Sequence, residues 1–317
     1  MDHATPSRAR WDHLPAELRD AVADVLGSPV VTAVSQVAGF SPGSADRVVA
    51  ASGRRAFVKT ADRRRSAETA ALHRRELAVA GALPATVRAP ALLGSWLTDD
   101  WVVLVLDDVE GRHPGEARDG SDVHAVLDAF ATLPVARGSD AFEGLPEAAD
   151  ELRDEAAGWA RLEADGALDA LPDEVRRDLP RLREAAARAA VAASGDHLLH
   201  LDGRADNVLV DAEGVAWLVD WPWAAVGARW VDGALYLLDV LVRGESVDVE
   251  AVVRSHPLLA DVPPDDVDAV LAAVAGSFLD KARRPAPDGM PTLRRFQHHE
   301  GMVAVRWLAR RREAHQG

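Results

Sequence analysis

Residues 197–211 carry a dense set of polar side chains whose types suit phosphate chemistry. Asp202 could accept the proton of an attacking hydroxyl group. Asn207, and Asp220 on the next predicted strand, supply the kind of oxygen ligand that Mg²⁺ prefers in proteins. The guanidinium group of Arg204 could offset the charge on a transferred group. Together these residues predict a site for magnesium and phosphate.

Short strands are predicted to position these side chains. One apolar run precedes the polar loop, Val208–Val210 follows it, and Val215–Asp220 has the pattern of a further strand. The turn residues Asp211–Gly214 predict a hairpin between the last two strands. The hairpin would bring the three oxygen-bearing side chains to one end of a small ribbon.

A metal-dependent hydrolase is one alternative for the same stretch. His197, His200 and Asp202 have the residue types of a metal cluster. The two leucines between the histidines favour a strand edge, however, and no further histidine lies nearby in the sequence. This alternative is therefore less favoured than the phosphate site.

A calcium-binding EF-hand loop is a second alternative. Asp202, Asp206 and Glu213 fit positions 1, 5 and 12 of such a loop. Arg204 occupies position 3, and Asn207 replaces the glycine required at position 6. These two mismatches disfavour an EF-hand.

The loop Gly39–Ser44 is a candidate phosphate-binding element. Its glycines allow close approach of the backbone, and Ser41, Gly43 and Ser44 could donate N–H or O–H groups to phosphate. It is not a P-loop, because no Gly-Lys-Ser/Thr follows it. An ordinary hairpin turn is the alternative.

Lys59 lies in the apolar strand Ala56–Thr60, where burying a lysine is costly unless it pairs with anions. The following helix offers Glu76 and Glu68 as partners. Glu76 is favoured because apolar residues place it beside the packed face of the helix; these are Leu72, Leu77, Ala80 and Leu83. The alternative is an edge-strand lysine that faces water.

The composition limits the class of protein. The chain has 317 residues and no cysteine, which excludes disulfides, thiolate zinc sites and a cysteine nucleophile. Its 51 acidic and 36 basic residues give a net charge of -15. This charge disfavours binding of nucleic acid and favours binding of cationic small molecules. The alternative is that the charge only keeps the protein in solution, as in many acidic proteins. No apolar run reaches the length of a membrane span, and the N-terminal residues have no apolar core typical of a signal peptide. We therefore expect a cytoplasmic protein without nucleic-acid or membrane partners.

The pattern predicts a β-rich first third and a helical remainder. The first third is predicted to hold five strands and two helices, namely Pro15–Leu26, Val30–Val37, Arg47–Ala51, Ala56–Thr60, Ala67–Leu83, Ala91–Leu97 and Trp101–Asp107. The remainder is predicted to hold six helices, namely Asp122–Leu133, Glu147–Leu162, Asp173–Ala193, Val231–Val242, Pro264–Ala282 and Thr292–Arg312. The prediction is an α+β protein with two lobes, residues 1–107 and 108–317, and a boundary near 107–113.

The order of these features resembles the protein-kinase-like fold, and in detail the aminoglycoside phosphotransferase family. The resemblance rests on the Gly/Ser loop, a strand lysine, a helix glutamate, the spacing His-x-Asp-x-x-x-x-Asn and the run Val-Asp-Trp that contains Asp220. It covers about residues 30–240. It implies a β-rich N-terminal lobe with one helix and a mainly helical C-terminal lobe.

The resemblance also implies roles for individual residues. Asp202 would be the catalytic base and His200 a support for the catalytic loop, which Asp232 would brace. Asn207 and Asp220 would hold the metal ion. Lys59, paired with Glu76, would contact the α- and β-phosphates of ATP or GTP. Leu104–Asp108, including Leu106 and Asp108, would be the hinge whose backbone holds the adenine.

One departure from the family pattern lies inside the catalytic loop. The family has glycine between the histidine and the aspartate, where this chain has Leu201. Gly203 follows Asp202, where the family has an apolar residue. The two residues are transposed, while the spacing of the polar side chains is kept.

The resemblance implies a Mg-ATP-dependent enzyme that phosphorylates a hydroxyl group of a small molecule, such as an aminoglycoside or another antibiotic. The acidic segment Asp140–Asp173 would suit a cationic acceptor, although it could equally be a solvated surface. Two alternatives stay open: a metabolic kinase for an amino alcohol or a sugar, and a nucleotide-binding pseudokinase.

Overall fold

The computed structural model describes residues 9–36, 43–116, 119–287 and 290–316. The chain divides into two compact units. The first comprises Met1–Gly111 together with Trp217–Trp223, and the second comprises Arg112–Ala216 and Ala224–Gly317. The short segment that ends just after Asp220 thus belongs with the N-terminal unit. No helix among the described residues is long and apolar enough to span a bilayer.

The first unit is built on one antiparallel sheet. Its five strands lie in the order β1-β2-β3-β5-β4; they are β1 (Val30–Ser35), β2 (Ser44–Ala50), β3 (Arg55–Asp62), β4 (Leu92–Leu97) and β5 (Trp101–Leu106). Helix α1 (Ala16–Leu26) precedes the sheet, and helix α2 (Ala67–Ala82) connects β3 to β4. The predicted sheet with a single inserted helix is confirmed. Strand β2 begins three residues earlier than predicted, because Ser44 already pairs with Thr60 of β3.

The register of the strands places side chains on two faces. Lys59 of β3 is opposite Ala45 of β2 and Leu104 of β5, so these three side chains share one face. On that face the apolar side chains of β3 and β5 pack against α2. The other face carries Val48 and Val58, which belong to a buried cluster with Trp11 and α1. Lys59 is therefore on the α2 side of the sheet.

Two ends of helices in this unit follow simple capping rules. The hydroxyl group of Ser66 accepts a hydrogen bond of 3.1 Å from the backbone N–H of Thr69 and so begins α2. Gly27 ends α1 with a φ of 68°, in the left-handed region that glycine adopts without strain.

The second unit is mainly helical. Its helices are α3 (Val123–Ala131), α4 (Ala148–Ala164), α5 (Asp173–Ala186), α6 (Ala189–Ala192), α7 (Val231–Val242), α8 (Val249–Ser255), α9 (Pro264–Ala282) and α10 (Leu293–Gln316). The α+β class is confirmed. The predicted helix over 173–193 is two helices, and α8 is a helix that the sequence pattern did not predict.

Short strands flank the polar loop in the sequence. They are β6 (His197–Leu199), β7 (Val208–Val210), β8 (Ala216–Leu218) and β9 (Ala225–Gly227), with β6 antiparallel to β9 and β7 joined to β8 as a hairpin. The carboxylate of Asp211 accepts hydrogen bonds from the N–H groups of Glu213 and Val215, which closes the predicted hairpin turn. Strand β9 was missed, because three residues are too few to show an alternating pattern.

Candidate active site

Asp202 and Asn207 form a hydrogen-bonded pair in the loop between β6 and β7. The side-chain amide of Asn207 donates to the Asp202 carboxylate at 2.7 Å and to its backbone carbonyl at 3.0 Å. A single 3₁₀ turn, Ala205–Asn207, makes this approach possible. With its N–H₂ group committed to Asp202, Asn207 offers its amide oxygen to a ligand.

Arg204 lies beside the same pair. Its Nε is 3.2 Å from a carboxylate oxygen of Asp202, and its Nη2 donates to Asp206 at 2.9 Å. Burial raises the pKa of Asp202 above its ordinary value, against the opposing influence of the Arg204 and His200 charges. Asp202 is therefore a stronger base than an exposed aspartate, and the guanidinium group of Arg204 lies beside it.

Asp232, a fully buried residue in the first turn of α7, holds the start of the loop through hydrogen bonds. Its two carboxylate oxygens accept the backbone N–H groups of His200 at 2.7 Å and of Leu201 at 2.8 Å. The predicted brace is confirmed as a contact. It fixes the chain immediately before Asp202.

The structure explains the two transposed residues separately. Leu201 has a φ of 58°, in the left-handed region where a Cβ atom is strained and glycine is favoured. Gly203 has no positive φ, but a Cβ there would lie 3.1 Å from Phe130 Cζ and 3.2 Å from the carbonyl oxygen of Asp232. Position 201 is thus the one whose backbone favours glycine, and this chain has leucine there.

Lys59 forms ion pairs with two carboxylates in the first unit. Its Nζ is 2.6 Å from Glu76 Oε1 and 2.9 Å from Asp220 Oδ1. The Lys59 and Glu76 side chains are 11% and 2% exposed, whereas that of Asp220 is 46% exposed. The preference for Glu76 over Glu68 is confirmed.

The charge state of Lys59 follows from this arrangement. Burial by itself lowers the pKa of Lys59, but the facing carboxylates of Glu76 and Asp220 outweigh burial and keep that pKa above its ordinary value. Lys59 is therefore protonated at neutral pH. Asp220 has a φ of 67°, so of the non-glycine residues that the structure describes, it and Leu201 are the two with a positive φ. Backbone strain of this kind concentrates at functional positions.

The predicted hinge is pinned to the sheet through Asp108. The carboxylate of Asp108 accepts hydrogen bonds of 3.0 and 2.6 Å from Arg55 and lies 3.1 Å from Nε of Arg47. Arg47 also donates to the carbonyl of Val109 at 3.0 Å. The Asp108 side chain is therefore held between two arginines and is only 2% exposed. Leu106 is buried opposite Phe57, two residues before Lys59 on β3.

Of the Gly/Ser loop Gly39–Ser44, only Gly43 and Ser44 are among the described residues. Ser41 lies outside the described residues. A Cβ at Gly43 would come within 2.3 Å of the Thr60 carbonyl oxygen, so only glycine fits there. The hydroxyl group of Ser44 is buried and bonded to Thr60 at 2.9 Å, on the face of the sheet away from Lys59. The sequence predicted that Ser44 could donate its N–H or O–H group to phosphate; that contact stays a prediction, and its hydroxyl group is bonded to Thr60.

Glu300 is a residue near the catalytic loop that the sequence analysis missed. It is buried on α10, and burial raises its pKa to about 8, with the neighbouring carboxylates of Asp239, Asp202 and Asp206 adding to the effect and Arg204 opposing it. Arg204 is thus surrounded by acidic groups from several elements. A glutamate on a helix far along the chain carries no local sequence signal that it lies near this loop.

About half of the carboxylates in the acidic segment Asp140–Asp173, which was predicted to suit a cationic acceptor, form ion pairs. Six of its eleven acidic residues pair with a basic group; the pairs are Glu147–Arg137, Asp150–Arg153, Glu155–Lys281, Glu163–Arg183, Asp165–Arg283 and Asp173–Arg176. These pairs offset part of the negative charge that the sequence shows. A solvated surface therefore explains the segment as well as a cationic acceptor does.

Solved structures with similar folds span almost the whole chain. An aminoglycoside phosphotransferase from Alicyclobacillus acidocaldarius matches with a TM-score of 0.62 and 15% identity over 95% of this chain and 96% of its own. A thermostable mutant of aminoglycoside phosphotransferase APH(4)-Ia in complex with AMP-PNP and hygromycin B matches with a TM-score of 0.56 and 14% identity, over 92% and 98%. The choline kinase LicA from Streptococcus pneumoniae matches with a TM-score of 0.55 and 12% identity, over 93% and 98%. Among curated proteins, no sequence matches this one.

These features define the class and then the family. An antiparallel sheet with a lysine–glutamate pair, together with a helical unit that holds an Asp/Asn loop, is the protein-kinase-like architecture, and the solved structures share it. Residues 36–263 match the sequence model of the phosphotransferase enzyme family, APH. The chain belongs to this family.

Proposed function

We propose that the protein transfers the γ-phosphoryl group of ATP, in the presence of Mg²⁺, to a hydroxyl group of a small molecule. The observation that carries the proposal is the buried Lys59, paired with both Glu76 and Asp220. A protonated lysine held between two carboxylates beside a predicted hinge suits the phosphates of a nucleotide. The complex of one solved structure with AMP-PNP supports ATP as the nucleotide.

In this proposal the first unit binds the nucleotide. Lys59 contacts the α- and β-phosphates, Glu76 holds the lysine side chain, and the backbone around Leu106 and Asp108 holds the adenine. Gly43 contributes backbone close to the phosphates.

The two proposed metal ligands are of residue types that suit a hard divalent cation. Asn207 offers its amide oxygen and Asp220 offers a partly exposed carboxylate, and oxygen ligands of these types are what Mg²⁺ takes. When bound, the ion neutralises charge on the phosphate oxygens.

The second unit would provide the catalytic residue. Asp202 orients the acceptor hydroxyl for in-line attack and receives its proton as the new O–P bond forms and the bond to the departing ADP breaks. Its raised pKa suits this role, because a base works best when its pKa is closer to the working pH. Arg204, next to Asp202, offsets negative charge on the transferred group.

The acceptor is proposed only as a small hydroxyl compound. One structure with this fold holds the antibiotic hygromycin B and another is a choline kinase, so the fold accommodates both antibiotics and amino alcohols. The ion pairs in Asp140–Asp173 offset part of the negative charge that would suit a polycationic acceptor.

The test is a phosphorylation screen. The protein is incubated with Mg-ATP and, separately, with aminoglycosides, other hydroxylated antibiotics, amino alcohols and sugars, and products are detected by mass spectrometry as a gain of one phosphate. A phosphorylated product that requires both ATP and a divalent cation supports the proposal. Tight ATP binding without a product over the whole panel would instead indicate a nucleotide-binding pseudokinase.

A further inference from the structure

Ala205 is held at both ends of its backbone. This buried residue lies between Asp202 and Asn207 in the loop. Its N–H group donates to Asp239 Oδ2 at 3.0 Å, and its carbonyl oxygen is 3.1 Å from Nδ1 of His113. The peptide groups that connect the proposed base to the proposed metal ligand therefore have two fixed anchors.

Asp239 lies on α7, seven residues after Asp232. Seven residues are close to two turns of an α-helix, so both carboxylates project from the same side, about 10 Å apart. Asp232 accepts the N–H groups of His200 and Leu201, before the base, and Asp239 accepts that of Ala205, after it. One helix thus holds the loop on both sides of Asp202.

The charge of Asp239 is balanced by Arg243, one turn further along. Nε of Arg243 donates to Asp239 at 2.8 Å, and its Nη1 donates to the carbonyl of Pro114 at 3.2 Å and pairs with Glu245. A Cβ at Gly115 would collide with this guanidinium group, so the segment 112–115 passes directly over it. Asp239 is therefore fixed by a buried network and is not a mobile side chain.

The segment 112–115 contacts the loop directly as well. His113 Nδ1 lies 3.1 Å from the Ala205 carbonyl and 3.0 Å from the Val208 carbonyl, so this nitrogen must carry the proton. Arg112 and Val210 exchange backbone hydrogen bonds of 3.0 and 2.8 Å. Asp122 fixes the segment in turn, because it accepts two hydrogen bonds from the Arg112 side chain.

We propose that Asp239 and His113 are positioning residues for phosphoryl transfer, which fix the Ala205 peptide groups and thereby the separation of Asp202 and Asn207. The proposal rests on the proposed function. A displacement of about 1 Å in a reacting group can cost about 100-fold in rate, so anchors of this kind affect turnover. Neither residue is expected to contact the nucleotide or the acceptor.

The kinetic test compares three variants at Asp239 and a matched control. Asp239→Ala removes the acceptor for the Ala205 N–H, and we expect kcat to fall about 10- to 100-fold while KM for ATP stays unchanged. Asp239→Asn keeps an oxygen acceptor and should recover most of kcat; Asp239→Leu should behave like the alanine variant. Asp248→Ala is the control, because Asp248 also accepts one backbone N–H, that of Ala251, at 3.0 Å, at the start of α8. It should lower stability and leave kcat unchanged.

The same design applies to His113. His113→Ala removes the donor to two carbonyl groups and should lower kcat about fivefold. If Asp239→Ala loses no more kcat than Asp248→Ala, or if KM for ATP rises in step with the loss, the proposal is wrong.

Amide hydrogen exchange provides a readout that needs no turnover. In Asp239→Ala the amide of Ala205 should exchange faster, whereas those of His200 and Leu201 keep their protection through Asp232. Unchanged exchange at Ala205 would overturn the anchoring. If the wild-type protein phosphorylates no acceptor, the proposed function fails, and the exchange result decides the anchoring independently.

Discussion

The strained backbone at Leu201 supports a quantitative prediction. Leu201 has a φ of 58° directly before Asp202, and its N–H is held at 2.8 Å by Asp232. The loop therefore cannot relax without losing its hydrogen bond to the buried Asp232 carboxylate. Comparing Leu201→Gly with Leu201→Ala isolates the strain, because both variants remove the same atoms beyond Cβ.

The magnitude follows from two opposing effects. A Cβ in the left-handed region costs about 1–2 kcal/mol. Glycine in place of alanine costs about 0.5–1 kcal/mol through the greater chain entropy that it loses on folding. The difference of the midpoints makes Leu201→Gly more stable than Leu201→Ala by about 0.75 kcal/mol.

Gly27 calibrates the measurement. It has a φ of 68°, and a Cβ there would meet nothing within 4 Å, so Gly27→Ala measures strain without a packing effect. Urea unfolding of the four proteins, including wild type, provides each free energy of unfolding, with unchanged slopes as the check on comparability. The reasoning is refuted if Gly27→Ala is destabilised while the two Leu201 variants are equally stable.

Two further predictions concern buried carboxylates. Glu76→Gln should weaken ATP binding, measured by calorimetry, about tenfold, because Lys59 loses its buried partner. A factor of ten corresponds to about 1.4 kcal/mol. Glu68 is exposed on the same helix, so Glu68→Gln should leave ATP binding unchanged, and equal losses in the two variants would contradict the pairing. Glu300 has a pKa raised from 4.5 to about 8, so the folded state binds its proton more tightly, and its stabilising contribution is complete below pH 4.5 and lost as the pH rises through about 8. The melting temperature should therefore fall less steeply over this range in Glu300→Gln than in wild type, whereas parallel profiles would show that the pKa of Glu300 is not raised.

Much of the fold and half of the site follow from local sequence patterns. Alternation in the strand and the apolar face of the next helix suffice to pair Lys59 with Glu76, because both side chains are oriented by the period of their element. The spacing of five residues in the loop likewise brings Asp202 and Asn207 close enough for the Asn207 amide to donate a hydrogen bond to the Asp202 carboxylate.

The remainder depends on contacts between residues far apart in the chain. Asp239 and Ala205 are 34 positions apart, and nothing in the apolar helix around Asp239 indicates that its partner is a loop N–H. The direction of the Ser44 side chain depends on the register of β2 with β3, and a shift of one residue reverses it. The strain at Leu201 is a backbone angle, which residue type alone does not specify.

The most direct test of the central claim is the rate of phosphoryl transfer by Asp202→Asn in a single turnover with Mg-ATP and an acceptor found in the screen. The substitution keeps a hydrogen-bonding group opposite Asn207 but removes the base. We predict that the rate falls by at least about 100-fold while ATP affinity, measured by calorimetry, is unchanged. A variant that keeps the wild-type rate would contradict the assignment of Asp202 as the residue that receives the proton.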